Sequence, residues 1–113
     1  MGQPILLLHT RGARSGQERA APLLYTPHGD GFIVVASKAG ADHHPAWYHN
    51  LRAHPDAVAV STGGRRIPVR SRVAEGAERE ELWRIVNDNY NGYGTYQGRA
   101  GNRVIPVVLL EPS

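Results

Sequence analysis

Cysteine is absent from this chain of 113 residues, which excludes a disulfide framework and any thiolate metal site. That absence suits a reducing compartment, and a cytoplasmic location is expected. Long hydrophobic runs are missing as well. Ile5-Leu6-Leu7-Leu8 is far too short to cross a bilayer or to form the apolar core of a leader peptide. Lysine is nearly absent: Lys38 is the single lysine among 13 cationic residues. No Gly-x-Gly-x-x-Gly follows a strand-like run and no βαβ alternation is visible, so a Rossmann domain is not expected. There is no Gly-x-Ser-x-Gly elbow, and no Ser/His/Asp order points to a protein nucleophile. Internal repeats, low-complexity tracts and linkers are lacking, and the length suits one domain with one modest core.

What the chain has instead is arginine. The 13 Lys and Arg exceed the 10 Asp and Glu by three, a margin too small to point to nucleic acid. Aromatics interleaved with cations along strands, which single-stranded nucleic acid would need, are lacking too. Arginine binds planar oxyanions through paired N–H donors, so the bias suits phosphate or carboxylate ligands. A genome that favours arginine codons would give the same bias.

Patterning predicts six strands and two helices. Pro4 to His9 reads as the first strand and Glu18 to Tyr25 as the second, with Pro22 marking an edge or a bulge. His28-Gly29-Asp30-Gly31 is a hairpin-type turn leading to a third strand, Phe32 to Ala36. A helix begins near Pro45 and ends before Pro55. Ala57 to Ser61 and Arg65 to Val73 are strands joined by Gly63-Gly64, Ala77 to Asn89 is an amphipathic helix, and Val104 to Leu110 is the sixth strand. The fold class expected is α+β, mainly β: a six-stranded antiparallel barrel with helices on its outside.

Three constellations carry chemistry. Arg11-Gly12-Ala13-Arg14-Ser15-Gly16, with Arg19 beyond it, combines flexible backbone, a hydroxyl and three cations. This is what a phosphate or a string of carboxylates requires, although a solvated hairpin turn has the same composition. Phe32-Ile33-Val34-Val35 runs into Ala36, Ser37, Lys38, Ala39 and Gly40, and then into His44-Pro45-Ala46-Trp47-Tyr48-His49-Asn50-Leu51. A strand end, a small-residue loop and a helix start there offer N–H donors, one cation and an aromatic wall. Trp47 as core and Asn50 as a capping residue is the plainer alternative. Tyr90, Tyr93 and Tyr96, spaced by three and interleaved with glycine, suit a lid whose phenols reach a developing oxyanion. Packing of the same tyrosines against the barrel is again the alternative. His43, His44, His49 and His54 fall in one stretch, but their spacings do not stack on one helix face, and no metal is expected.

These stretches, with Ala21-Pro22-Leu23-Leu24-Tyr25 and Arg103-Val104-Ile105-Pro106-Val107, resemble the deazaflavin-dependent nitroreductase family over nearly the whole chain. That family comprises small split-barrel oxidoreductases that bind coenzyme F-420, an 8-hydroxy-5-deazaflavin with a phosphate and a polyglutamate tail. The resemblance implies a six-stranded split barrel over 1–113, lacking the helical segment that precedes the first strand in many members. It implies that Arg14, Ser15 and Arg19 grip the phosphate and tail, and that Ala13, Ala20, Ala21 and Pro22 also bind the coenzyme. Ala13 stands where many members have a second basic residue. Val35, Ala36, Ser37 and Lys38 would lie along the ring, and Ala46, Trp47, Tyr48, His49 and Asn50 would border it. Tyr93, with Tyr90, Tyr96 and Ser37, would take part in hydride transfer to a quinone, an enone or a nitro compound. Between Tyr96 and Arg103 the chain has one residue more than the family pattern. A quinone acceptor would imply peripheral membrane association, and the assembly expected is a monomer or homodimer. The alternatives are a split barrel that binds flavin mononucleotide (FMN) or haem, and a non-catalytic coenzyme-binding protein.

Overall fold

A computed structural model of the protein describes residues 5–36, 45–89 and 105–113. Strand β1, Ile5–Arg11, alternates in the way a half-buried strand must: Leu6, Leu8 and Thr10 point inward, while Ile5, Leu7 and Arg11 face solvent. It pairs with β2, Glu18–Leu24, through a tight loop. β3, Thr26–His28, and β4, Gly31–Val35, form a hairpin around Gly29 and Asp30. Helix α1 covers Ala46–Ala53. β5, Ala59–Thr62, and β6, Arg65–Val73, are joined by Gly63 and Gly64, which both take positive φ. That pair of left-handed residues is what a two-residue hairpin loop matched to strand twist demands. Helix α2, Gly76–Asn89, and strand β7, Val107–Pro112, complete the described elements. All strand pairs are antiparallel, in the order β2-β1-β5-β6-β7-β4-β3.

The sheet therefore has seven strands, one more than the pattern predicts. The additional one is β3, in which Pro27 sits opposite Phe32. Proline weakens a strand signal because it cannot donate to a ladder, and the segment reads as the tail of β2 plus a turn. At an edge the missing donor costs nothing. Pro22 holds the same kind of place on β2, the opposite edge of the sheet.

Leu6 and Leu8 of β1 share one buried cluster with Phe32 and Val34 of β4, although those strands stand second and sixth in the sheet. Only a curled sheet brings them together, so the architecture is an open half-barrel. Helix α1 adds Trp47, Tyr48 and Leu51 to this inner cluster. It thus plugs the concave side, whereas both helices were expected outside. The reason lies in the open sheet: its inner face would be wet without a cover. Helix α2 does lie outside, where Leu82 and Val86 pack on Ile33, Val35, Val107 and Leu109. β4 is buried on both faces, which explains its unbroken apolar sequence. Each such fully buried side chain contributes ~1.5–3 kcal/mol relative to exposure. Among the described residues no helix is long and apolar enough to cross a membrane.

Candidate functional site

The β1–β2 loop and helix α1 enclose a cleft of about 890 Å³, within the ~300–1,000 Å³ typical of small-molecule sites. One side is polar, with Arg14, Ser15 and Arg19; the other is apolar and shallow-walled, with Ala20, Ala21, Ala46 and Trp47. His49 and Asn50 close it from the helix. The first turn of α1 contains no acidic residue, so the positive end of its dipole is left unopposed near Ala46 and Trp47.

The loop is held largely from within. The Gly12 N–H donates to Gln17 O at 2.8 Å, and the Gly16 N–H to Gly12 O at 3.0 Å. The Gln17 N–H donates to Ser15 Oγ at 3.2 Å. The Ala13 N–H donates to Asn50 Oδ1 at 2.9 Å, and Asn50 Nδ2 donates to Thr10 Oγ1 at 3.3 Å. The Arg14 and Ser15 N–H groups have no acceptor among the described residues. Arg14, Ser15 and Arg19, which bring two free backbone donors, a hydroxyl still able to donate and two guanidinium groups, thus line one cleft, and Ser15 Oγ and Arg19 Nε both lie within 4 Å of where a Cβ on Gly12 would stand. That set fits an anion such as a phosphate.

A second cavity of about 590 Å³ lies on the other side of the loop, walled by Arg11, Glu18, Asp56 and Arg66 among others. Two of its four charges are paired, because Arg66 Nη2 donates to Glu18 Oε1 at 2.6 Å. The Arg66 guanidinium, first by that hydrogen bond and then by its charge, holds the Glu18 carboxyl below the ordinary glutamate value. A wall that sets the Glu18 and Asp56 carboxylates beside its cations is a poorer anion site than the first cleft.

Over residues 1–112 the chain matches the family described as F420H(2)-dependent quinone reductase. It is 44% identical over 110 residues to an F420H(2)-dependent quinone reductase of Mycobacterium tuberculosis, covering 95% of this chain and 72% of that protein. The chain belongs to the F420H(2)-dependent quinone reductase family. A solved F420-H2 dependent reductase is 38% identical, with a TM-score of 0.85, over 98% of this chain and 96% of that one. A further solved chain, described as a domain-swapped dimer, is 38% identical with a TM-score of 0.86, over 98% of this chain and 82% of that one. These relatives bear out the split-barrel class, while the chain's own structure corrects the strand count to seven and the place of α1 to the concave side.

The donor set and small apolar wall of the cleft suit the group that the family name implies, a flat ring system with an anionic tail. Of the site residues that the resemblance implies, Ala13, Arg14, Ser15, Arg19, Ala20, Ala21, Ala46, Trp47, His49 and Asn50 come together around this cleft. Pro22, Val35, Ala36 and Tyr48 are not among its described walls. Helical rotation accounts for Tyr48: positions 46, 49 and 50 share the cleft side, while 48 and 51 turn into the core. The Tyr48 hydroxyl accepts from Arg52 Nη1 at 3.0 Å. Ala36 is fully buried and its N–H donates to Pro106 O at 3.0 Å. Val35 packs in the outer core. Ser37, Lys38, Tyr90, Tyr93 and Tyr96 lie outside the described residues. Trp47 reconciles the two readings of it, since it is 8% exposed in the core and lines the cleft at once.

Sequence reasoning missed Thr10. Thr10 continues the inward row of Leu6 and Leu8, and a buried hydroxyl must find a partner. That alternation was the available signal.

Proposed function

We propose that this chain reduces a quinone, or another electron-poor acceptor such as an enone or nitro compound, with F420H2 bound in the cleft between the β1–β2 loop and α1. The observation that carries this reading is the placement of Arg14, Ser15 and Arg19 in one cleft whose other wall is alanine and tryptophan. When bound, the reduced deazaflavin supplies the hydride.

The residues of the chain bind, orient and exclude water. Arg14 and Arg19 take the phosphate and the acidic tail, and the free Arg14 and Ser15 N–H groups fix the phosphate oxygens. Ala20 and Ala21 have side chains short enough for a ring to lie close. Trp47 closes the wall and displaces water from it. In this reading Ser37 and Lys38 contact the coenzyme. Tyr93 donates its phenolic proton toward the acceptor oxygen as charge develops, with Tyr90 and Tyr96 beside it. A lipid-soluble quinone would bring the protein to a membrane surface from the cytoplasm. The related domain-swapped dimer supports a homodimer over a monomer.

Equilibrium titration monitored by absorbance tests the reading. F420 should bind more tightly than FMN, and the reduced coenzyme should be oxidised on addition of a soluble quinone. Equal or reversed affinities would overturn the coenzyme assignment. Tight binding without turnover on any acceptor would leave a coenzyme-binding protein and overturn the reductase.

A further inference from the structure

We infer that Thr10 and Asn50 form a positioning relay that makes the protein select the phosphorylated deazaflavin over its phosphate-free nucleoside, an inference that rests on the coenzyme reading above. Thr10 lies on β1, 2% exposed. Its Oγ1 accepts from Asn50 Nδ2 at 3.3 Å, and Asn50, 9% exposed, accepts the Ala13 N–H on Oδ1 at 2.9 Å. The chain of contacts therefore runs from the floor of the sheet, through the helix, to the loop.

The order of these bonds matters. An asparagine side chain has two faces that differ, an oxygen that accepts and an NH2 that donates. The Ala13 N–H can only donate, so Oδ1 faces it, and the NH2 then faces Thr10, whose hydroxyl accepts from it and holds the amide in place. The Ala13 N–H is thereby taken up, and the peptide that follows is turned so that the next two N–H groups, of Arg14 and Ser15, remain for a ligand. Across the β1–β2 ladder Thr10 stands opposite Arg19, so the same position also backs one of the cations of the cleft. Asn50 is accordingly a positioning residue that acts through Ala13. The sequence comparison alone would place it directly against the coenzyme.

The consequence is specific to the phosphate. Loss of the Thr10 acceptor leaves a buried NH2 without its partner, so the amide shifts and the loop drifts, which blurs the two free donors. The apolar wall of Ala20, Ala21 and Trp47 does not depend on that loop orientation. A ligand that carries the ring but no phosphate should not sense the change. Thr10→Val keeps the shape of the side chain and removes the acceptor. Thr10→Ser keeps the acceptor and removes only a methyl group.

The experiment is a set of equilibrium titrations with F420 and with its phosphate-free nucleoside, the 8-hydroxy-5-deazaflavin carrying ribitol alone. Wild type, Thr10→Val, Thr10→Ser and Asn50→Ala are compared, with thermal melts alongside. Thr10→Val should weaken F420 binding about fivefold to tenfold and Asn50→Ala about tenfold or more, the range for losing one or two ordering hydrogen bonds. In the two Thr10 variants nucleoside affinity should stay within about twofold, and Thr10→Ser should bind F420 like the wild type, as retention of the acceptor predicts. A purely structural role would weaken both ligands alike, and that result overturns the relay. Unchanged F420 affinity in Thr10→Val overturns it as well. Should the wild type itself bind F420 and the nucleoside equally, the phosphate reading of the loop fails, and the relay is overturned with it. Thr10→Val read against Thr10→Ser keeps the comparison decisive if Asn50→Ala does not fold.

Discussion

Gly12→Ala should leave the fold nearly as stable as before and still damage coenzyme binding. A Cβ built on Gly12 would lie 2.5 Å from Ser15 Oγ, 3.4 Å from Gln17 O and 3.7 Å from Arg19 Nε. Only the first contact is intolerable, and it is made by the tip of a side chain with one torsion. Ser15 can rotate to another staggered well, and doing so breaks its bond from the Gln17 N–H. That N–H is exposed and finds water, so the loss is at the low end for a hydrogen bond, about 0.5–1 kcal/mol. Gly12 does not occupy the left-handed region, so alanine adds no backbone strain there. Replacing glycine also removes freedom from the unfolded chain, worth roughly 0.4–1 kcal/mol in the opposite direction. The two nearly cancel, and a melt should shift by no more than about 4 °C. The hydroxyl, however, has left its place in the cleft. A lost hydrogen bond to a charged group amounts to about 1.5–3 kcal/mol, a rise in Kd of tenfold or more. Ser15→Ala should give the same loss without any clash. The double variant should be no worse than either single one, because both remove one and the same hydroxyl. Additive losses in the double variant, or a melt lowered by about 8 °C or more, would show that the backbone moves and refute the reasoning.

Arg14→Ala should raise the Kd for F420 by about 1.5–3 kcal/mol, and the remaining affinity should fall less steeply with salt than that of the wild type, both read by titration. Trp47→Ala should lower stability by roughly 3–5 kcal/mol in urea unfolding, while Trp47→Phe should recover most of that and still bind coenzyme more weakly. For Glu18 the sign follows from its lowered pKa: the Arg66 pair contributes above the ordinary glutamate pKa and is lost as pH falls through the folded value. Both side chains are more than half exposed, so the effect is small; Glu18→Gln should flatten the acid limb of the urea midpoint, as should high salt. Tyr93→Phe should lower turnover with a soluble quinone about tenfold or more, with coenzyme affinity unchanged; a wild-type rate would exclude that hydroxyl as the donor.

The strands that alternate, and the hairpins that glycine marks, were legible in the sequence. β6 was predicted from Arg65 to Val73 and runs over that span, because Ile67, Val69, Ser71 and Val73 alternate along one face without interruption. Gly63-Gly64 carried enough conformational information to name its turn. β3 was not legible, because its pairing depends on a neighbour and not on its own composition. Thr26, Pro27 and His28 have no strand pattern; they become a strand because Ile33, Phe32 and Gly31 lie opposite them. Gly31 shows the same dependence from the other side, since a Cβ there would come within 2.7 Å of Leu110 O on β7. The place of α1 was hidden for a related reason. Its apolar residues tell that it is covered, and nothing local tells which face of a curled sheet covers it.

The site divides along the same line. Arg14, Ser15 and Arg19 could be singled out because charge and hydroxyl are properties of a residue. Their arrangement could not, because it depends on which N–H groups the loop consumes. Gly12, Ala13, Gly16 and Gln17 spend theirs inside the protein, the second of them on a helix 37 positions away. The two that remain are adjacent and belong to the residues that also bring a guanidinium and a hydroxyl. A flexible glycine-rich loop would lose much of its binding energy in ordering itself around an anion. Here the internal bonds have settled that ordering before any ligand arrives, and preorganised donors give more affinity per contact. The two glycines of this loop therefore differ in kind. Gly16 takes φ 72° with open space around it, so it is needed for the turn itself. Gly12 is needed because the hydroxyl of Ser15 occupies the space a side chain would fill, and that is a requirement of the site.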